Sequence, residues 1–219
     1  MDTIQIAVYG GGGFAREVAW LIQSCNRNSR RYNVVCFIDD DETLHGSELN
    51  GVPVIGLEAA RALFPHARVA CAIGSPQVRE KVVQRATEAG FDFETIIHPN
   101  VERSQWLTIA EGVVICAGNI LTTNITLGRH VQINLDCTVG HDVILGDFTT
   151  LAPGVHVSGW VHMGKRVYVG TGAVIINGTH QKPLIIEDDA IIGAGACVTK
   201  RVLAGTTVAG VPARPLERR

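Results

Sequence analysis

Twelve apolar residues recur at intervals of six: Ile109, Ile115, Leu121, Leu127, Ile133, Val139, Leu145, Leu151, Val157, Met163, Val169 and Ile175. A period of six matches neither the 3.6 of an amphipathic helix nor the two of a half-buried strand. It is the signature of a hexapeptide-repeat parallel β-helix, in which each hexapeptide makes one short flat side. The residue after each rung is often small, as at Ala110, Gly128, Gly140, Gly146, Ala152, Ser158, Gly164 and Gly170. Four residues after the rung a second inward position recurs, as Val113, Ile125, Val131, Cys137, Val143, Val155, Val161, Val167 and Ala173. Three sides make one coil of 18 residues, so positions 18 apart stack at the strand spacing of about 4.8 Å.

The ladder breaks after Ile175 and resumes at Ile186, Ile192 and Val198. The extra residues fall in the stretch 177–183 and predict a loop extruded from one corner. Loops that leave a rigid scaffold often carry function; a tolerated insertion gives the same pattern. The segment 198–219 caps the open end of the coil or closes a groove beside it.

Before residue 90 the patterning changes. Ile4–Tyr9 reads as a buried strand, followed by a glycine turn and a helix over about 15–25. Asn33–Ile38 and Val69–Ile73 read as further strands, and Pro76–Ala89 as a helix. These elements predict a small Rossmann-like α/β domain with a parallel sheet over 1–96, ahead of a β-helix over 97–219. Gly10-x-Gly12-x-x-Ala15 fits the dinucleotide fingerprint in its strand–turn–helix context. Glycines admit a phosphate close to the backbone, and a helix N-terminus favours its charge. Asp39 or Asp40, at the end of the next strand, is placed to hold a ribose hydroxyl. A glycine turn needed only for helix–strand packing is the bland alternative. An NAD-dependent role is disfavoured by the small size of the unit and the lack of a dehydrogenase-type substrate domain.

A net charge of −2 gives no electrostatic case for nucleic acid. The six cysteines show no metal-type pairing, and Cys137 and Cys197 fall at inward repeat positions. Neither a disulfide framework nor a metal site is expected. With no signal-peptide pattern and no apolar run near 18 residues, a soluble cytoplasmic protein with no membrane insertion is expected.

The order of the parts is distinctive: Gly10-Gly-Gly-Gly-Phe-Ala-Arg-Glu17, Phe37-Ile-Asp-Asp40, Ala72-Ile-Gly-Ser75, Ile97-His-Pro99, Val139-Gly-His-Asp142 and Gly210-Val-Pro-Ala-Arg214. Over essentially its whole length the chain resembles the sialic-acid O-acetyltransferase and nucleotide-amino-sugar N-acetyltransferase family (NeuD/PglD-like), within the hexapeptide-repeat acyltransferases. The resemblance implies a left-handed β-helix, although parallel crossovers are usually right-handed and a period of six does not fix the hand. It also implies a homotrimer with acetyl-CoA as co-substrate in the groove between subunits, and a nucleotide-sugar on the N-terminal domain.

Acetyl transfer requires an acceptor to lose a proton as it attacks the thioester, work suited to histidine. Of eight histidines, His141 follows the small Gly140 at a corner, precedes Asp142, and matches the family's catalytic His-Asp/Glu position. It is expected to be the general base, with Asp142 orienting its ring, although adjacent residues often point apart. Gly159 lies 18 residues later and should stack on the same corner, where its N–H is placed to stabilise an oxyanion; a plain turn glycine is the alternative. Many relatives carry a second histidine nine positions after the base, where this chain has Thr150. Thr149 and Thr150 retain hydroxyls for a substrate or CoA.

By resemblance, acetyl-CoA contacts fall on Gly159, Thr171, Gly193 and Ala194, with Lys165, Arg166, Lys200, Arg201 and Arg214 as candidates for its phosphates. Those for the nucleotide-sugar are Gly10, Gly12, Gly13, Phe14, Asp39, Asp40, Gly74 and Arg79; relatives often have histidine at Phe14. The leading expectation is an N-acetyltransferase acting on a nucleotide-linked 4-amino-4,6-dideoxy sugar, serving polysaccharide or glycan synthesis. Alternatives are a sugar O-acetyltransferase, a non-catalytic nucleotide-binding trimer, and a zinc carbonic anhydrase using His141, His156 and His162, whose spacings place them on differing sides.

Overall fold

The structure is a computed structural model that describes residues 3–27 and 31–216. It divides into two compact units, 1–99 and 100–219. The first is built from β1 (Ile4–Tyr9), α1 (Gly13–Cys25), β2 (Tyr32–Ile38), β3 (Glu48–Leu49), β4 (Val52–Ile55), α2 (Leu57–Leu63), β5 (Arg68–Cys71) and α3 (Pro76–Glu88). The sheet order is β3-β4-β2-β1-β5, parallel except for the β3–β4 hairpin. β1 lies between β2 and β5, and its last four residues are buried. α1 turns Ala15, Val18, Ala19 and Ile22 inward at helical spacing. The hairpin and α2 were not expected from the sequence, and β5 stops two residues short of the predicted Ile73. The hairpin is local in origin: Asn50 (φ 50°) and Gly51 (φ 76°) both take the left-handed conformation of a tight two-residue turn.

The second unit is a left-handed parallel β-helix with three flat faces. The first face stacks the strands 102–103, 120–121, 138–139, 156–157, 174–175 and 197–198. The second stacks 107–109, 125–127, 144–145, 161–163 and 184–186. The third includes 114–115, 132–133, 150–151, 168–169, 191–192 and 207–209. Successive coils pair 18 residues apart, as in Ile133 with Leu151 and Leu127 with Leu145. The rungs from Ile115 to Ile175 are all buried, as are the second inward positions; Ile109, at the first rung, is only half-buried.

The repeat is equally visible in the backbone. Every sixth residue from Gly112 to Gly172 has a positive φ, including Asn124, His130, Asp136, Asp142, Phe148, Trp160 and Arg166. Each corner therefore turns through one left-handed residue, a conformation open to Gly and tolerated by Asn and Asp.

After the 177–183 insertion the stacking interval becomes 23, as in Ile175 with Val198 and Val169 with Ile192. Cys137 is buried in the core as expected, but Cys197 is not an inward residue. It pairs with the outward Val174, while Ala196 and Val198 fill the core. The renewed ladder puts its second inward position at 196, four after Ile192. At the C-terminal end, Thr207–Ala209 extends the third face and Arg214–Pro215 folds back antiparallel along it, giving that edge a partner. Among the described residues no helix is long and apolar enough to cross a membrane.

Candidate active site

The corner between the first and second faces carries His141. Its Nδ1 lies 2.8 Å from Asp142 Oδ2. Neighbouring residues in extended chain point apart, but the φ of 57° at Asp142 folds its carboxylate back onto the preceding ring. The other carboxylate oxygen accepts from Asn124 Nδ2, 3.3 Å away and one coil below. A carboxylate at Nδ1 accepts a hydrogen bond from that nitrogen, which holds the ring proton there and leaves the lone pair on Nε2, the state a general base requires.

Gly159 stacks on the same corner one coil later, as the spacing predicts. A Cβ there would lie 2.5 Å from both Cε1 and Nε2 of His141, so only glycine lets the imidazole sit against this turn. Its carbonyl accepts from Gly178 N and the His141 carbonyl accepts from Trp160 N, both at 3.0 Å. The Gly159 N–H bonds no other backbone group among the described residues. A Cβ at Gly140 would come within 2.8 Å of that nitrogen, so two bare glycines keep the N–H beside the base uncrowded.

Sequence reasoning missed Trp160 and His180. The Trp160 ring meets His141 edge-on, at 6.4 Å between centroids and 82° between planes. His180, from the extruded loop, meets Trp160 in the same way at 4.9 Å and 76°. The loop stands on the His141 corner: by register Asn177 follows His141 and Gly159 at intervals of 18, and Lys200 follows Asn177 by 23. The only sequence signal for this was arithmetic, since the insertion begins 18 residues after Gly159.

The first face joins this corner to the one bearing Thr171 and Ala194. Both of these are exposed, and neither N–H bonds another backbone group among the described residues. Gly193 differs from its expected role: its N–H donates to Val208 O at 2.7 Å and is committed to the sheet. Beside the extruded loop lies a cavity of about 680 Å³ lined by Lys182, Lys200, Arg201 and Thr199. Of the other candidate cations, Arg166 makes a two-pronged contact with Asp189 and Arg201 is paired with Glu187. Lys165 and Arg214 lie outside that cavity lining. Thr149 and Thr150 are buried, and the Thr149 hydroxyl donates to Gly164 O; neither is presented to a ligand. His156 lies on the first face and His162 on the second, away from the His141 corner.

In the N-terminal unit the glycine turn divides its labour. A Cβ on Gly10 (φ 129°) would meet Ala72 O at 3.0 Å, and one on Gly11 would meet Asp39 Oδ2 at 2.7 Å. Gly12 and Gly13 face open space at the start of α1, which has no side-chain cap and no acidic residue in its first turn. Its uncapped N–H groups suit a phosphate. Phe14 is half-buried on that first turn.

Asp39 faces the glycine turn and accepts from Asp41 N. Asp40 is already engaged by the Tyr9 hydroxyl at 2.8 Å and Arg85 at 2.5 Å, so Asp39 is the better-placed ribose acceptor. Burial, reinforced by Asp40, raises the Tyr9 hydroxyl above its usual range and keeps it a donor. Gly74 is open to solvent. Arg79 departs from the expected direct contact. It is fully buried, donates to Ile73 O (2.7 Å) and Gly74 O (3.2 Å), and is lowered by burial to about 10. Its place on the inward face of α3, with Val82, Val83 and Ala86, makes it a brace for the 73–74 loop.

Residues 5–86 match the PglD N-terminal domain family. The chain is 35% identical to GDP-perosamine N-acetyltransferase of Escherichia coli O157:H7, over 96% of each protein. It superposes on WeeI from Acinetobacter baumannii AYE with a TM-score of 0.88 at 40% identity, covering 98% of this chain and all of that one. Perosamine N-acetyltransferase of Caulobacter crescentus, solved as a histidine-to-asparagine mutant with CoA and GDP-perosamine, superposes at 0.87 with 29% identity, over 98% and 97% of the two chains.

Proposed function

The chain belongs to the acetyltransferase family that joins a PglD N-terminal domain to a hexapeptide-repeat β-helix, and we propose that it moves acetyl from acetyl-CoA to the amino group of a nucleotide-linked amino sugar. The observation that carries the reading is the His141 corner, where an imidazole oriented by Asp142 lies against Gly159. His141 Nε2 takes the proton from the acceptor amine as that nitrogen attacks the thioester carbonyl. The Gly159 N–H donates to the oxygen on which charge develops. Acetyl-CoA supplies the activated acyl group and a thiolate leaving group. Thr171 and Ala194 fit its arm through backbone N–H groups, and the cavity holding Lys182 and Lys200 fits its phosphates. Gly12, Gly13 and Asp39 hold the nucleotide, and Arg79 shapes the adjoining loop.

A 4-amino-4,6-dideoxy sugar is the acceptor class, and GDP-perosamine, named for the Escherichia coli and Caulobacter crescentus relatives, is the first compound to try. The working form is a homotrimer. Outward Ile120 and Val174 on the first face, Ile144 on the second and Ile191 on the third leave apolar surface on an otherwise closed coil. A cytoplasmic site fits a donor and an acceptor that are both made there.

The test is thiol release from acetyl-CoA with GDP-, UDP- and dTDP-linked 4-amino sugars, with free sialic acid as the hydroxyl control. Release with one amino sugar, lost in His141→Ala, supports the assignment. Release only with a hydroxyl acceptor moves it to an O-acetyltransferase. Absence of thiol release with every acceptor, despite nucleotide binding, favours the non-catalytic trimer.

A further inference from the structure

Trp160 is out of character with its neighbours. The left-handed position on its corner is Asn124, Asp142 and Trp160 in successive coils. Asn, Asp and Gly accept that geometry at little cost, whereas a bulky aromatic at φ 57° is strained. Phe148 and Arg166 hold the same φ on other corners, so what singles Trp160 out is the company of its ring. The ring lies between His141 and His180, edge-on to both.

The transfer chemistry places the acyl group beside this ring. With the carbonyl oxygen on the Gly159 N–H and the attacking nitrogen at His141 Nε2, the acyl carbon is within about 4 Å of both groups. Trp160 is the large side chain that follows Gly159 in the chain and also packs on His141. An acyl chain longer than acetyl that leaves the carbonyl on the Trp160 side of Gly159 would meet this ring.

We propose that Trp160 closes the acyl end of the site and limits the donor to a two-carbon acyl group, with His180 of the extruded loop positioning its ring. This rests on the acyl-transfer reading above and adds the donor's chain length to it. The insertion at 177–183 then has a task, since it delivers the aromatic side chain that braces the gate. Pocket walls discriminate by roughly 10- to 200-fold per methylene.

The experiment compares kcat/KM for acetyl-, propionyl- and butyryl-CoA by thiol release with one amino sugar. In parallel, calorimetry measures binding of the three thioesters, which requires no acceptor. The wild-type protein should lose about tenfold or more for each added methylene. Trp160→Gly, which suits the left-handed backbone, should narrow the acetyl-to-butyryl ratio at least about tenfold. His180→Ala should narrow it less, and His180→Phe, which keeps an aromatic against Trp160, should restore it. Thermal melts establish that each variant is folded, and the exposed His180 can be replaced without disturbing the coil. An acetyl-to-butyryl ratio unchanged in both Trp160→Gly and His180→Ala overturns the proposal, as does a wild-type protein that takes butyryl-CoA as readily as acetyl-CoA. If no amino sugar releases thiol, the acceptor assignment fails, and the binding ratios still decide for or against the gate.

Discussion

At the scale of single residues, the site depends on two backbone choices. Asp142 reaches the ring of its own neighbour only because its φ is 57°. Asp142→Asn keeps the shape but replaces a charged acceptor at Nδ1, weakening the ring's orientation and tautomer preference. It should lower kcat by about 10- to 100-fold, less than the roughly 100- to 10,000-fold that a general base itself contributes, and change KM much less. Steady-state kinetics with a saturating acceptor checks this. Gly159→Ala acts through space: the new Cβ would overlap the imidazole at 2.5 Å, so the ring must move. A displacement of about 1 Å costs about 100-fold in kcat, and the melting temperature should change little. Wild-type turnover in Gly159→Ala would show that the imidazole is not needed where it lies. The stacking of Gly159 on the His141 corner was legible because the repeat period reports which residues share a corner, while the choice of His141 among eight histidines came from the family resemblance. Trp160 was not legible, because nothing in a period of six says which turn residue carries a side chain into the site.

At the scale of elements, the β-helix was legible from its rungs because each is one unit of a stack with a single inward direction. Leu145 is fully buried between the rungs of the coils on either side, Leu127 and Met163. Leu145→Ala should therefore cost about 2–5 kcal/mol of stability, read as a lower denaturation midpoint with little change in KM. The shift at Cys197 shows the limit of the rule, since an insertion resets the phase and the inward set must be counted again from the next rung. In the first unit the hairpin and α2 escaped notice because both are short, and Pro53 in β4 weakens a strand pattern. Arg79 shows how burial changes a residue's meaning. The family resemblance put Arg79 among the nucleotide-sugar contacts, yet the side chain lies inside the fold. Arg79→Met should leave the Ile73 and Gly74 carbonyls short of a donor at a cost of about 1–3 kcal/mol. It should also raise KM for the sugar nucleotide more than for acetyl-CoA. An equal rise in both would remove it from the nucleotide loop.

At the scale of the whole molecule, a triangular coil has three flat outer faces and no interior room for a substrate, so its sites lie at corners and along faces. A net charge of −2 provides little long-range attraction for polyanionic substrates, and binding falls to local groups such as the α1 N-terminus and the basic cavity by the extruded loop. The outward Ile120 and Val174 share the first face, which runs from the His141 corner to that of Thr171 and Ala194. A subunit docked over this apolar strip would wall the surface that the donor must follow, and would make activity depend on assembly. Paired Ile120→Asp and Val174→Asp substitutions should convert a trimer into monomers in sedimentation equilibrium, through unpaired charges buried at the interface. Thiol release should fall with the trimer fraction, although the His141, Asp142 and Gly159 contacts are untouched. The wild-type protein should also lose specific activity on dilution below the concentration at which the trimer dissociates. A fully active monomer would place the complete donor site within one chain.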